Sequence, residues 1–352
     1  MLIFSRLSDK KLQSKIIPLL STDTINEIYL IRKTPLKHDR IINYNPKIRL
    51  FQLPILFDLW RLYLGIIILN KKKNTPFIMG IYTIPHGLIA LILAKIFKKK
   101  LIINLIGSEF IGALKKKLSL YIAKNAQGII TRGKESENFL FSQGIRNTEM
   151  LFVHNEIIFP NNPINEIDTP KKFDLIYVGN LVSVKRIDLM IDALFYLKNH
   201  FQLQPNLQIV GEGPLLNTLR TKVKELNLEK QIFFQGHSEN VTKHLKESKI
   251  FLMSSEHEGL PQAMLEAMNQ GLPCIMPNLS NIPDYIKHRE SGLLFTPLSS
   301  LELAECIKLL LEDSDLYSIC SKGSKIRFDL EKNHFSRPHI AKEWEKFLAK
   351  LS

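Results

Sequence analysis

Cysteine is scarce in this chain, and long hydrophobic runs are missing. Cys274, Cys306 and Cys320 are too few and too scattered for a disulfide framework or a metal-ligand cluster, which favours a reducing, cytoplasmic setting. Cys274 stands in an apolar run and reads as a small buried hydrophobe. No apolar stretch reaches the roughly 18 residues needed to span a bilayer. The longest, 62–69 and 87–97, are short or interrupted by Lys95, and Arg6, Asp9, Lys10 and Lys11 break any signal-peptide core. No Gly-x-Gly-x-x-Gly follows the first expected strand, which argues against a dinucleotide oxidoreductase. Internal repeats and low-complexity tracts are also absent.

Acidic residues are sparse in the first half. Residues 1–160 hold 25 lysines and arginines against 10 acidic residues, and the remainder holds 23 against 24, so the first half carries +15 and the remainder −1, which gives the net charge of +14. Its lysines cluster at 71–73, 98–100 and 115–117. Such asymmetry suggests an anionic partner. The runs lack interleaved aromatics and no nucleic-acid module is visible, so nucleic acid is not expected. An anionic membrane surface is the functional alternative to a plain solvated lysine-rich face.

What is present is an alternation of short apolar runs and helical periodicities. In the second half, runs at 173–178, 207–210, 232–234, 250–253 and 273–276 end on glycine, serine or polar turns and read as buried parallel strands. Helical periodicity fills 187–197 and 215–226. The first half shows weaker strands at 2–5, 27–32, 77–82, 100–105, 128–131 and 150–153, with helices at 55–70, 87–98 and 113–124. This is an α/β pattern of doubly wound sheets, with ligands expected at the carboxyl ends of the strands. The division expected is an acceptor-binding domain at 1–160, a linker at 161–172, a second domain at 173–337, and a helix at 338–352 carrying Trp344 and Phe347.

One string is more specific than the rest. It runs Ser254-Ser255-Glu256-His257-Glu258-Gly259-Leu260-Pro261 and continues to Glu266. Pro261 suits the first position of a helix of roughly ten residues, stopped by Gly271. The amides of Gly259 and Leu260 would then lie free at its positive end, where a phosphate or sugar oxygen can dock. Eight positions at about 1.5 Å rise separate Glu258 from Glu266 by roughly 12 Å, the reach from a ribose across a diphosphate to a hexose. An isolated pair at this spacing is more often two solvated glutamates.

The whole string, with Gly271-Leu272-Pro273-Cys274-Ile275, resembles the signature of the family-4 retaining glycosyltransferases (glycosyl transferases group 1). The resemblance implies the GT-B fold, two Rossmann-like domains facing a cleft, with the last helix packed on the first. It places ribose hydroxyls on Glu266, the transferred sugar on Glu258, and sugar or diphosphate oxygens on Gly259 and Leu260. The run Gly179-Asn180-Leu181-Val182-Ser183-Val184-Lys185-Arg186 resembles the family's diphosphate loop. There Lys185 would stabilise charge on the leaving group; Asn180 stands where the family has arginine, which removes one charged contact, and Arg186 is the candidate to compensate for it.

Other donor contacts follow from the same resemblance. They are Gly211 and Gly213 of the Gly-x-Gly-Pro turn, His237 beside the base, and Ser254 and Ser255 before the signature loop. The alternatives are a tight turn for the glycines, an ordinary surface histidine for His237, and a cap on the turn for the two serines. On the acceptor side, His86 opens a helix at the carboxyl end of a strand, where related enzymes often carry a histidine near the acceptor, and is expected to be catalytic, with a structural cap as the alternative; Gly107-Ser108-Glu109 resembles a His-Gly-x-Asp loop with Ile106 in place of histidine. His154-Asn155 resembles a structural Asn-Gly pair.

The activity implied is retaining, nucleotide-sugar-dependent hexosyl transfer to a hydroxyl. The acceptor implied is a surface polysaccharide or lipid-linked glycan reached from the cytoplasmic side of an anionic membrane, with residues 113–124 as the surface contact. No Asp-x-Asp occurs in a suitable loop, so no metal and no cofactor beyond the co-substrate are expected. The alternatives are a nucleotide-sugar epimerase of similar fold and a non-catalytic nucleotide-sugar-binding subunit.

Overall fold

The computed structural model describes residues 1–45, 54–106, 110, 112–131, 133–157, 159, 170–258, 260–279 and 281–352. The chain divides into two units. The first comprises Met1–Ile158 with Asn333–Ser352, and the second Phe159–Lys332.

Each unit is built on one parallel sheet. In the first, β1 (Leu2–Phe4), β2 (Ile28–Ile31), β3 (Ile41–Tyr44), β4 (Phe77–Ile81), β5 (Lys100–Asn104), β6 (Gly128–Thr131) and β7 (Glu149–Phe152) lie in the order β3-β2-β1-β4-β5-β6-β7. The second unit has β8 (Phe173–Val178), β9 (Leu207–Val210), β10 (Ile232–Gly236), β11 (Ser248–Leu252), β12 (Cys274–Pro277) and β13 (Gly292–Phe295), ordered β10-β9-β8-β11-β12-β13. Strands such as Leu2–Phe4, Ile28–Ile31 and Cys274–Pro277 are buried along their whole length. Helices cover both faces of such a sheet, so its strands carry continuous rather than alternating hydrophobicity. The strand order reverses between β1 and β4 in the first unit and between β8 and β11 in the second. At such a point the loops leaving the two strands diverge and open a crevice.

The expected strands form, with ends shifted by one or two residues. Two were not anticipated, Ile41–Tyr44 and Gly292–Phe295. The first is an edge strand with only Ile41 fully buried, and the second is four residues opening on glycine, so neither shows much periodicity. A helix at Asp9–Ile16 also forms that was not among the expected helices. The helix after the signature loop is Gln262–Asn269, and Pro261 is its N-cap residue rather than its first helical residue.

The chain re-enters the first unit at Asn333, upstream of the expected 338 boundary. The helix Arg337–Leu351 buries Trp344, Phe347, Leu348 and Leu351 in the core formed by β1, β2, β4 and the first helix. The approach is close at Gly128, where a Cβ would stand 2.5 Å from Phe347 Cζ. Glu345 accepts from the Asp23 amide at 3.0 Å and from the Thr24 hydroxyl. Trp344→Ala removes the largest fully buried side chain of this core and is expected to cost about 3–5 kcal/mol. Urea denaturation followed by far-UV circular dichroism measures it, and an unchanged midpoint would contradict the prediction.

Candidate functional site

The carboxyl ends of β8, β9, β10 and β11 lie along one edge of the second sheet, because all four strands run parallel. The loops at the switch point, 179–186 after β8 and 254–258 after β11, are laced together. Ser254 Oγ donates to the carbonyls of Lys185 at 3.1 Å and Arg186 at 2.7 Å, and the Glu256 amide donates to Val184 O at 2.9 Å. Across this lacing the Lys185 ammonium pairs with the Glu258 carboxylate. Ser255, wholly buried, donates its hydroxyl to the same carboxylate at 2.6 Å. The Glu258 side chain is only 10% exposed. A carboxylate removed this far from water needs such partners, since desolvation of an unpaired charge is costly.

The structure therefore brings Lys185, Glu258 and Ser255 to one point. Ser255 serves Glu258 directly rather than standing free for a phosphate. Tyr177, the penultimate residue of β8, had given no signal in the sequence. It is fully buried, and its hydroxyl donates to the Asn180 carbonyl at 3.1 Å. Burial first, then the charge of Glu258, push its phenol well above the ordinary tyrosine range, so it stays a neutral donor that fixes the loop. A tyrosine two residues before Gly179 was the only available clue.

The helix Gln262–Asn269 buries Met264, Leu265, Ala267 and Met268. This inward face leaves Gln262 and Glu266, four apart, together on the partly exposed side, where Gln262 Nε2 donates to Glu266 Oε1 at 2.9 Å. Leu260 is half-buried just ahead of the helix. Gly259 falls outside the described residues, as do Gly107, Ser108 and Glu109.

Several expected contacts are differently placed. Arg186 stands at the N-cap of the helix Ile187–Phe201 with φ 48°. Its guanidinium turns back onto Asp188, with Nε at 3.1 Å and Nη2 at 2.9 Å from the carboxylate oxygens, so it does not replace the arginine missing at Asn180. Asn180 is exposed. Gly211 and Gly213 face the neighbouring loop instead of open space. A Cβ at Gly211 would meet Gly179 O at 2.0 Å, and one at Gly213 would meet Leu181 O at 2.4 Å. Their task is backbone-on-backbone packing, which holds the 179–181 loop in place. His237 is exposed, and its amide approaches Glu212 Oε1 at 3.4 Å.

In the first unit, His86 lies in the segment Thr83–Gly87 between β4 and the helix Leu88–Phe97. Its ring is wholly buried, and neither nitrogen makes a hydrogen bond of good geometry. Burial, followed by the positive charges of Arg61 and Arg6, lowers its pKa to about 3, against a small opposing pull from the Ile81 carbonyl. A neutral imidazole inside the unit offers no face to a ligand, which corrects the expectation that His86 is a catalytic residue on an open edge. Among the described residues no three or more His, Cys, Asp or Glu side chains form a group that could hold a metal ion.

The second unit thus places a lysine, a carboxylate and a helix N-terminus around one crevice. A cation and free amides can hold a diphosphate. Carboxylates can accept paired hydrogen bonds from sugar hydroxyls.

The family model described as glycosyl transferases group 1 matches residues 161–327. N-acetyl-alpha-D-glucosaminyl L-malate synthase of Bacillus anthracis is 33% identical over 143 residues, 41% of this chain and 37% of that protein. The GalNAc-alpha-(1->4)-GalNAc-alpha-(1->3)-diNAcBac-PP-undecaprenol alpha-1,4-N-acetyl-D-galactosaminyltransferase of Campylobacter jejuni is 28% identical over 178 residues, 50% of this chain and 48% of that one. The chain thus spans less than half the length of these two relatives. The crystal structure of Anabaena HepE in complex with UDP superposes with a TM-score of 0.76, at 16% identity, over 99% of both chains. The two Rossmann-like units are those of the GT-B fold.

Proposed function

From a chain whose second unit belongs to the glycosyl transferases group 1, we propose a GT-B enzyme that moves a hexosyl group from a nucleotide-sugar to a hydroxyl acceptor with retention of anomeric configuration. The observation that carries this reading is the Lys185–Glu258 pair at the second unit's switch point. With no donor present, each side chain holds the other in position. When a donor arrives, the ammonium takes up charge developing on the leaving diphosphate, and the carboxylate accepts from hydroxyls of the transferred sugar. The leaving diphosphate then helps deprotonate the acceptor on the same face, and orientation supplies much of the remaining effect. No metal takes part in this scheme.

Glu266 binds the ribose. Glu266→Ala is expected to raise the donor KM about ten- to a hundredfold with little change in kcat, because the lost hydrogen bonds to a charged acceptor act on ground and transition states alike. Steady-state kinetics against donor concentration measures this. A fall in kcat with KM unchanged would remove Glu266 from ribose binding.

The acceptor we place on a lipid carrier at the cytoplasmic face of an anionic membrane. The basic first unit and the undecaprenol-linked substrate for which the Campylobacter relative is named support this. The test is nucleoside-diphosphate release from a panel of nucleotide-sugars, with and without membrane extract. Release that depends on the extract supports transfer. An epimerised donor without any acceptor would favour an epimerase. Donor binding with no turnover across the panel would favour a non-catalytic binding subunit.

A further inference from the structure

Three neighbouring helices of the first unit, with the turns that follow them, carry its lysine clusters. The helices Pro54–Lys71, Leu88–Phe97 and Ala113–Lys124 share a core on the same side of the first sheet, through Ile68, Leu69, Leu91, Leu93, Ile122 and Ala123. Leu118 and Leu120 pack against that core too, so only part of the segment 113–124, expected as the surface contact, faces outward. The outward surface is a different set. On the first helix Ile55, Leu59 and Tyr63 recur every fourth residue and are 75%, 58% and 62% exposed. Ile92 and Ile96 repeat the spacing on the second. Leu114 and Tyr121 stand on the third, with Lys117 and Lys124 exposed on the same surface.

Two of the three lysine triads lie at one end of this face. Two triads distant in sequence meet there, where Lys99 Nζ donates to the Lys73 carbonyl at 2.6 Å. Lys95 joins the second helix to the third, donating to the Tyr121 hydroxyl at 3.2 Å with its ammonium 5.4 Å from the ring centre. No acidic residue occurs in the sequence between Asp58 and Glu109, or between Glu109 and Glu135. Asp58 is the one acidic residue on these three helices.

We propose that this three-helix face docks on an anionic lipid bilayer. The exposed aliphatic and tyrosine side chains enter the headgroup–acyl boundary, and the lysine triads, with Lys95 and Lys124, contact lipid phosphates. The proposal rests on the reading that the acceptor is carried by lipid. Charge selects the occupant. A second copy of the chain would set lysine against lysine. A nucleic acid would leave Ile55, Leu59 and Leu114 facing water, since aliphatic side chains give bases no stacking platform. None of the described helices is long and apolar enough to cross a membrane, so contact is at the surface.

Co-sedimentation with vesicles of phosphatidylcholine, with and without phosphatidylglycerol, tests it at low and high salt. The full chain is expected to pellet with the anionic vesicles at low salt and to be released by salt. The triple variant Lys71→Glu, Lys98→Glu, Lys124→Glu is expected to lower the partition coefficient roughly a hundredfold. Leu59→Asn with Ile96→Asn, also at exposed positions, is expected to lower it about tenfold and leave the salt dependence unchanged. Equal binding to neutral vesicles, anionic binding unmoved by both variants, or no vesicle binding would overturn the proposal. So would a lipid-free dimer or a DNA complex abolished by the same substitutions. Donor binding without vesicles reports the second unit separately, so its loss would sink the transferase reading and leave the lipid result standing.

Discussion

Lys185→Ala is expected to lower transfer by about a hundred- to a thousandfold, in kcat more than in KM. The side chain acts where charge appears as the anomeric bond breaks, and removing one such preorganised contact costs catalysis on that scale. Lys185→Arg keeps the charge but not the ammonium geometry, and should recover only part of the rate. The substitution also leaves the nearly buried Glu258 carboxylate without its ion-pair partner, so lost folding could imitate lost chemistry. The variant with Glu258→Gln added relieves that unpaired charge, and its melting temperature separates the two causes. A single variant whose activity falls only in proportion to its folded fraction would reduce Lys185 to a structural role.

The second large effect is expected at Gly211. Its φ is 143°, and an added methyl would stand 2.0 Å from Gly179 O, a collision with backbone that no rotamer relieves. Gly211→Ala should cost roughly 3 kcal/mol of stability. It should also abolish donor binding, because the 179–181 loop must move and Lys185 sits at the end of the same segment. Gly144→Ala supplies the control, since Gly144 has φ 78° with nothing within 4 Å of its added Cβ. That variant carries backbone strain without collision and should lose about 1 kcal/mol. Chemical denaturation and donor titration measure both. Equal losses for the two variants would show that the close loop approach is not decisive.

These expectations differ in how far the sequence alone supports them. The Rossmann-like pattern was legible because parallel strands buried on both faces leave continuous apolar runs ending in glycine or serine, as at Phe173–Val178 and Leu207–Val210. Edge strand Ile41–Tyr44 was not, since a strand buried mainly through one residue has little pattern to read. Within the site, Glu258 and Lys185 were legible from their loops. That they pair was not, because an ion pair 73 residues apart in sequence depends on which strands neighbour each other. Gly211 and Gly213 looked like ligand contacts for a related reason. A glycine makes room, and the chain alone does not show whether a ligand or another loop fills it. Arg186 and His86 misled in the same way. Each carries suitable chemistry at a suitable position, but Asp188 occupies one and the interior of the first unit encloses the other.

The helix that carries Trp344 has a consequence for biogenesis. Its residues leave the ribosome only after every strand of the second sheet has been made, yet they seal the interior begun by β1. During synthesis the amino-terminal half must therefore wait with an open apolar flank while its neighbour is already free to condense. Nascent chains arrested near residue 332 should bind chaperones that recognise exposed hydrophobic surface, and release them once the last helix emerges.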